Sequence, residues 1–298
     1  MRMNLPEALE QKVLLNDGGM GTQLQLAGLI PGSCGDAWNL EEPEKVLAIQ
    51  RKYAEAGCDC LTTNTFSASP LNLERRGRKD ECEAINKAGA ELAREAIGEN
   101  GYVLGGIGPF GGFLEPLGEQ ALNDVVENFA IQARALLAGR ADGIIIETMT
   151  ALNEAEAALL GAREAGAPFV IITMAYDASG GVFRTMMGVD PSAACEALEP
   201  LAPDVVGCNC GSGLVIGDYV KLTQQFRALT KRPLLVQPNA GLPELVNDQV
   251  IYREPPEEMA AHIAELAAAG ANMIGGCCGT TPRHIELFRA ELNKITKV

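Results

Sequence analysis

Eight short apolar runs, separated by amphipathic stretches of helical period, constrain this chain more than any other feature. The runs occupy residues 13–17, 60–64, 103–108, 143–147, 169–175, 205–210, 234–239 and 272–276. They are nearly continuous rather than alternating, the pattern of parallel strands covered on both faces. Between and after them, residues 43–56, 80–97, 122–137, 152–165, 191–198, 219–229, 257–269 and 282–294 read as helices. In the third of these, Leu122, Val125, Val126, Phe129, Ala133, Leu136 and Leu137 fall on one helix face. The pairs Ala56-Gly57, Ala138-Gly139, Ala165-Gly166 and Ala269-Gly270 each close a helix shortly before a strand, predicting glycine in a left-handed cap. A (β/α)8 barrel takes about 250 residues. Eight β-then-α units in 298 residues therefore predict an α/β fold built as one such barrel, with a single domain over residues 1–298.

The long connections, at residues 18–42, 110–120, 176–190 and 240–257, all follow strands, while those leading back into strands are short. That asymmetry predicts a site on the rim at the carboxyl ends of the strands. The residues expected there are Asp17, Asn64, Glu147, Cys208-Asn209-Cys210, Gln237-Pro238-Asn239, and Cys277 with Cys278. No lysine ends a strand, which argues against a Schiff-base aldolase. His262 and His284 both fall in helical stretches and are expected to be partly exposed, which argues against a histidine-rich metal site. Adjacent cysteines do not easily close a disulfide on each other. In the run Gly275-Gly276-Cys277-Cys278-Gly279 they can present two thiolates to one soft cation, or pack as small buried apolar residues. The same glycine-rich turn is also open to a phosphate. Adding Cys210 brings three sulfurs from two strands to one mouth, the donor set of a catalytic zinc site with a fourth position free. Alternation along the strand turns Cys208 and Cys210 to one side, but Cys208 is read as core packing, as are Cys34, Cys58, Cys60, Cys82 and Cys195.

A formal net charge of −15 argues against a nucleic-acid or anionic-membrane partner. No apolar run approaches the ~18 residues of a membrane span, and the start lacks a basic patch followed by an apolar core and cleavage site. A cytoplasmic location is expected, in which nine cysteines are reduced thiols.

The runs Asp17-Gly18-Gly19-Met20-Gly21-Thr22, Asn64-Thr65-Phe66, Gly108-Pro109, Glu147-Thr148, Asn209-Cys210, Pro238-Asn239-Ala240-Gly241 and Gly275 through Pro282 resemble, in order and over nearly the whole chain, the homocysteine S-methyltransferase family. The resemblance implies a barrel in which Cys210, Cys277 and Cys278 hold Zn2+. It implies that Asp17 and Glu147 surround the amino group of homocysteine, and that backbone near Gly19 and Met20 receives its carboxylate. Asn64 joins the substrate-binding set, and Asn239 matches a residue able to approach the metal when substrate is absent. The implied reaction moves a methyl group to the homocysteine thiol, giving methionine. The wording of the motifs favours methylcobalamin, arriving on a separate corrinoid protein, over S-methylmethionine. Betaine would need an aromatic cage, for which Trp38, Phe66, Phe110 and Phe113 are candidates, but Ser67 stands where betaine enzymes carry a tyrosine. Two rivals remain open: a phosphate-binding barrel enzyme, and a non-catalytic zinc-binding subunit of a methyl-transfer complex.

Overall fold

The computed structural model describes residues 2–246 and 249–295. Its eight-stranded parallel sheet consists of β1 (Leu14–Leu15), β2 (Cys60–Thr62), β3 (Tyr102–Ile107), β4 (Gly143–Met149), β5 (Val170–Met174), β6 (Val205–Asn209), β7 (Leu234–Gln237) and β8 (Met273–Ile274). Each strand pairs with its neighbour in sequence, β1 pairs with β8, and a parallel bridge from Asn16 to Cys60 joins β1 to β2. The sheet thus curls on itself as the expected barrel. Helices pack outside it, and a long run of apolar residues fills the layer between them, from Leu15 and Val46 to Phe288 and Leu292.

The barrel interior is built in layers, because alternate residues of each strand point inward. One layer is apolar: Leu14, Cys60, Leu104, Ile145, Ile171, Val205, Leu235 and Met273 lie in one buried cluster. Two residues further along each strand stand Asn16, Thr62, Gly106, Glu147, Thr173, Gly207, Gln237 and Gly275, a layer without a large apolar side chain. This change of chemistry forms the floor of the site. Beneath the apolar layer the helix Leu5–Gln11 closes the barrel with Leu5, Ala8 and Leu9. Asn4 and Glu7 form its capping box, with Asn4 Oδ1 accepting from the Glu7 N–H at 2.9 Å.

Several elements depart from the sequence reading. The stretch at 257–269 is two short helices, Pro256–Ala261 and Ile263–Ala268, divided at His262. His262 (φ −94°, ψ −2°) ends the first helix and caps the second, its Nδ1 2.8 Å from Glu265 Oε2. His284 is buried rather than partly exposed: its Nδ1 accepts from the Thr281 N–H at 3.1 Å, and its ring meets Phe288 edge-on. The connection after β5 holds a hairpin, Asp177–Ser179 with Val182–Arg184, turned by Gly180 and Gly181, both at positive φ. A second hairpin, Pro243–Val246 with Gln249–Tyr252, follows β7. Of the four cap glycines, Gly57, Gly166 and Gly270 have positive φ. Gly139 does not (φ −83°), and Arg140 takes the left-handed conformation after it. A Cβ on Gly139 would lie 2.4 Å from the Lys87 carbonyl, so glycine serves close helix packing there. Among the described residues, no helix is long and apolar enough to cross a membrane.

Candidate functional site

Above the polar layer the strands end in a cavity of about 490 Å3, bordered by Asp17, Glu147, Cys210, Gln237, Cys277 and Cys278 among others. A wider groove of about 700 Å3, between Cys195 and Arg232, lies among helices and their turns at the other ends of the strands. It gathers no comparable chemistry.

Asp17 follows β1 and is buried, its Oδ2 accepting from the Thr62 N–H at 2.8 Å. Burial pushes its carboxyl up to about 7, against the opposing pull of the Thr62 hydrogen bonds. Glu147 reaches the cavity from β4, with Oε1 3.7 Å from where a Cβ on Gly106 would stand. Its carboxylate has no hydrogen-bond partner among the described residues. Burial, the Asp17 charge and the Cys210 charge together push it up to about 8. Two acids held this way are poised to ionise around a cation, since an ammonium between them would reverse each of these penalties.

The cavity's sulfurs come from two turns. At Cys210 the chain leaves β6 in the left-handed region (φ +54°), and the Tyr219 hydroxyl fixes that bend by donating to the Cys210 carbonyl at 2.6 Å. After β8, the Cys277 N–H donates to the Pro238 carbonyl at 2.8 Å, and the Cys278 carbonyl accepts from the Ala240 N–H at 2.9 Å. The close approach of the β1 turn requires Gly19, where a Cβ would stand 2.6 Å from the Cys277 carbonyl oxygen. The three sulfurs lie within 4.8 Å of one another. Hydrogen bonds among them hold Cys210 well below the usual thiol range and push Cys277 and Cys278 up, so the cluster shares negative charge centred on Cys210.

Soft donors in this arrangement fit a thiophilic divalent ion. On a tetrahedral zinc with Zn–S near 2.3 Å, two sulfurs stand roughly 3.8 Å apart, and Cys210 Sγ and Cys278 Sγ are 3.8 Å apart. Asn239 donates from Nδ2 to the Gly211 carbonyl at 2.8 Å and lies beside Cys210. Its buried Oδ1 has no partner among the described residues.

Other expected residues have different work. Asn64 borders the cavity, yet its Nδ2 is spent on the Gly35 carbonyl (2.8 Å) and Asn39 Oδ1 (3.1 Å), fastening the loop that follows β1. The Gly19 N–H is occupied by Thr280 Oγ1 at 3.0 Å. That leaves the Met20 N–H, first in the helix Met20–Leu26, without an acceptor among the described residues. Cys208 does not share a side with Cys210, because the bend at 210 breaks the alternation. It is buried in the apolar layer against the helices, where desolvation raises its thiol. Of the four aromatic candidates for a cage, only Phe66 borders the cavity. Phe110 and Trp38 are buried, and Phe113 is 54% exposed on the loop after β3.

Residue-type reasoning overlooked Tyr252 and gave Thr280 and Asn209 no role of their own. Tyr252 comes from the second hairpin and packs on Gly279, whose missing Cβ would fall 2.3 Å from that of Tyr252. Only long-range packing brings it to Cys278. Thr280 and Asn209 were in view as neighbours of the cysteines, but their hydrogen bonds depend on which strands adjoin.

A parallel barrel carrying a three-thiol cluster beside two raised carboxylates belongs to the class of rim-site α/β barrel enzymes. The chain belongs to the homocysteine S-methyltransferase family, a family of methyltransferases whose profile matches residues 14–292. It is 34% identical over 312 aligned positions to methionine synthase of Mycobacterium tuberculosis, covering 99% of this chain and 26% of that protein. It is 35% identical to methionine synthase of Mycobacterium leprae, covering 95% and 24%. The chain thus spans about a quarter of the length of these curated relatives. Among solved structures it shares its fold with the metallated form of the homocysteine methyltransferase MmuM from Escherichia coli, with a TM-score of 0.79, 24% identity, and coverage of 96% and 98%. A methyltransferase from Methanosarcina mazei has a TM-score of 0.64 at 13% identity, with coverage of 97% and 96%.

Proposed function

We propose that this chain is a zinc-dependent methyltransferase acting on homocysteine, with residues 1–298 forming its homocysteine-binding barrel and methionine the product. The observation that carries the reading is the convergence of Cys210, Cys277 and Cys278 on the wall of a cavity that also receives Asp17 and Glu147. Held by Cys210, Cys277 and Cys278, zinc would supply the acidity that lets a substrate thiol bind as a thiolate still electron-rich enough to attack a methyl group.

The chain's own groups do the rest. Asp17 and Glu147 bind the substrate ammonium and become ionised as they do so. The free Met20 N–H is available to the carboxylate at a short helix's N-terminus, while Thr280 holds Gly19 in place beneath it. With the ammonium and carboxylate at one end of the amino acid gripped, the thiol at its other end is directed toward the cysteines, which converts encounter into orientation. Asn239 supports the Cys210 turn and keeps an unpaired oxygen near the cluster.

For the donor, methylcobalamin or a corrinoid protein is the preferred reading. Kinship with methionine synthases supports it, and a single aromatic residue on the cavity wall does not make a cage for a quaternary ammonium. The test is a donor panel of methylcobalamin, S-methylmethionine, S-adenosylmethionine and betaine, with homocysteine and zinc, scored as methionine formed. Methylcobalamin should be the most productive, and Cys277→Ser should lose both metal and product. A Cys277→Ser protein that stays active without metal overturns the mechanism, and stoichiometric zinc without methionine from any donor favours a non-catalytic subunit.

A further inference from the structure

Asn209 is fully buried at the end of β6, and its amide touches three elements. Its Oδ1 accepts from the Thr148 N–H at 2.7 Å and from the Thr173 hydroxyl at 2.6 Å. Its Nδ2 donates to Thr148 Oγ1 at 2.8 Å and to Cys277 Sγ at 3.7 Å. Both donor hydrogens and both acceptor sites are therefore used.

The Thr148 contact is unusual because Thr148 is β-branched yet sits at φ +65°, a region such residues seldom enter. It lies where the β4–β5 register shifts between Ile146 and Met149. The consequence is visible on either side. Ile145 and Glu147 face the barrel interior, but Met149 joins the outer apolar layer instead of continuing inward. The bulge thus ends the inward series at Glu147 and leaves its carboxylate at the cavity. Thr148 N–H and hydroxyl both close on Asn209, which holds the bulge against its backbone strain. The second Nδ2 hydrogen, meanwhile, points at a cysteine of the cluster.

We infer that Asn209 is a positioning residue for both halves of the site, setting Glu147 through Thr148 and setting the Cys277 sulfur through its N–H. The inference rests on the function proposed above. It predicts two separable effects, because Asn209→Asp keeps the acceptor oxygen for Thr148 and Thr173 but removes the N–H donors, whereas Asn209→Ala removes everything.

The experiment compares the wild-type chain with both variants by zinc affinity in competition with a chromophoric chelator, by homocysteine KM and kcat taken separately, and by sulfur-to-cobalt absorption after cobalt substitution. Asn209→Asp is expected to weaken metal binding about tenfold or more and to shift the cobalt band, with a smaller effect on KM. Asn209→Ala is expected to raise the homocysteine KM by a further factor of about ten. Thr148→Gly, which adopts positive φ freely, should recover part of that loss in the Asn209→Ala background. If Asn209→Ala does not fold, Asn209→Asp decides on metal affinity and spectrum alone. Folded variants with wild-type metal affinity, cobalt spectrum and KM overturn the inference while leaving the proposed function intact. A wild-type chain that binds no zinc overturns both.

Discussion

Glu147 and Asp17 sit where a carboxylate is least comfortable, half-buried or buried, close to each other and to a cluster of thiols. Their raised values mean that the native protein holds protons the unfolded chain has already released above about pH 4 to 5. Stability contributed by these groups is therefore complete at low pH and declines as pH rises toward about 7 and about 8. A bound ammonium changes the sign, because it favours the ionised acids and binding then expels protons. Homocysteine affinity should accordingly improve as pH rises from 6 to 8.5. In Glu147→Gln the upper part of that rise should vanish and KM should increase, about tenfold for one lost charge-assisted contact, with zinc content unchanged by metal analysis. Loss of zinc from Glu147→Gln would contradict the role assigned to it.

Among the elements, the helix Leu5–Gln11 and the two hairpins escaped the sequence reading for different reasons. The helix is seven residues long, too short for a periodic signal, although Asn4, Pro6 and Glu7 spell a capped start. It exists because Leu5, Ala8 and Leu9 close the apolar end of the barrel. Leu5→Ala should destabilise the fold by about 2–4 kcal/mol, read as a lower denaturation midpoint. The kinetic constants should stay as they are, since the polar layer separates this end from the cavity. The first hairpin did carry a local signal, Gly180-Gly181 between Ser179 and Val182. The second brings Tyr252 against Gly279, a contact between distant parts of the chain that no local pattern encodes.

At the scale of the whole molecule, the proposed metal site is tied to the fold through the turns that follow β6 and β8 and through the β7 loop hydrogen-bonded to both. A ligand that binds only the native state stabilises by about 2.7 kcal/mol at a hundredfold excess over its Kd. Zinc at that excess should raise Tm by about 4 °C for a chain of this size. Chelation should reverse it, and Cys210→Ser should abolish the shift. A Tm indifferent to zinc in the wild-type protein would count against the ligand set.

The barrel was legible in the sequence because its eight apolar runs and their short return connections report burial on both faces, a property each segment carries locally. The sulfurs and acids at strand ends were legible as well, because a parallel barrel sends every strand terminus to one mouth. By itself, then, the sequence determined the architecture, the mouth, and which reactive groups reach it. Only the tertiary structure decided how those groups face one another. Cys210 turns out of β6 at positive φ, so Cys208 faces the helices; Asn64 and the Gly19 N–H are taken up in fastening loops; and Asn209 links Thr148 to Cys277. Hydrogen-bond partners drawn from separate strands exist only once the barrel has closed, which is why no local pattern in the chain could announce them.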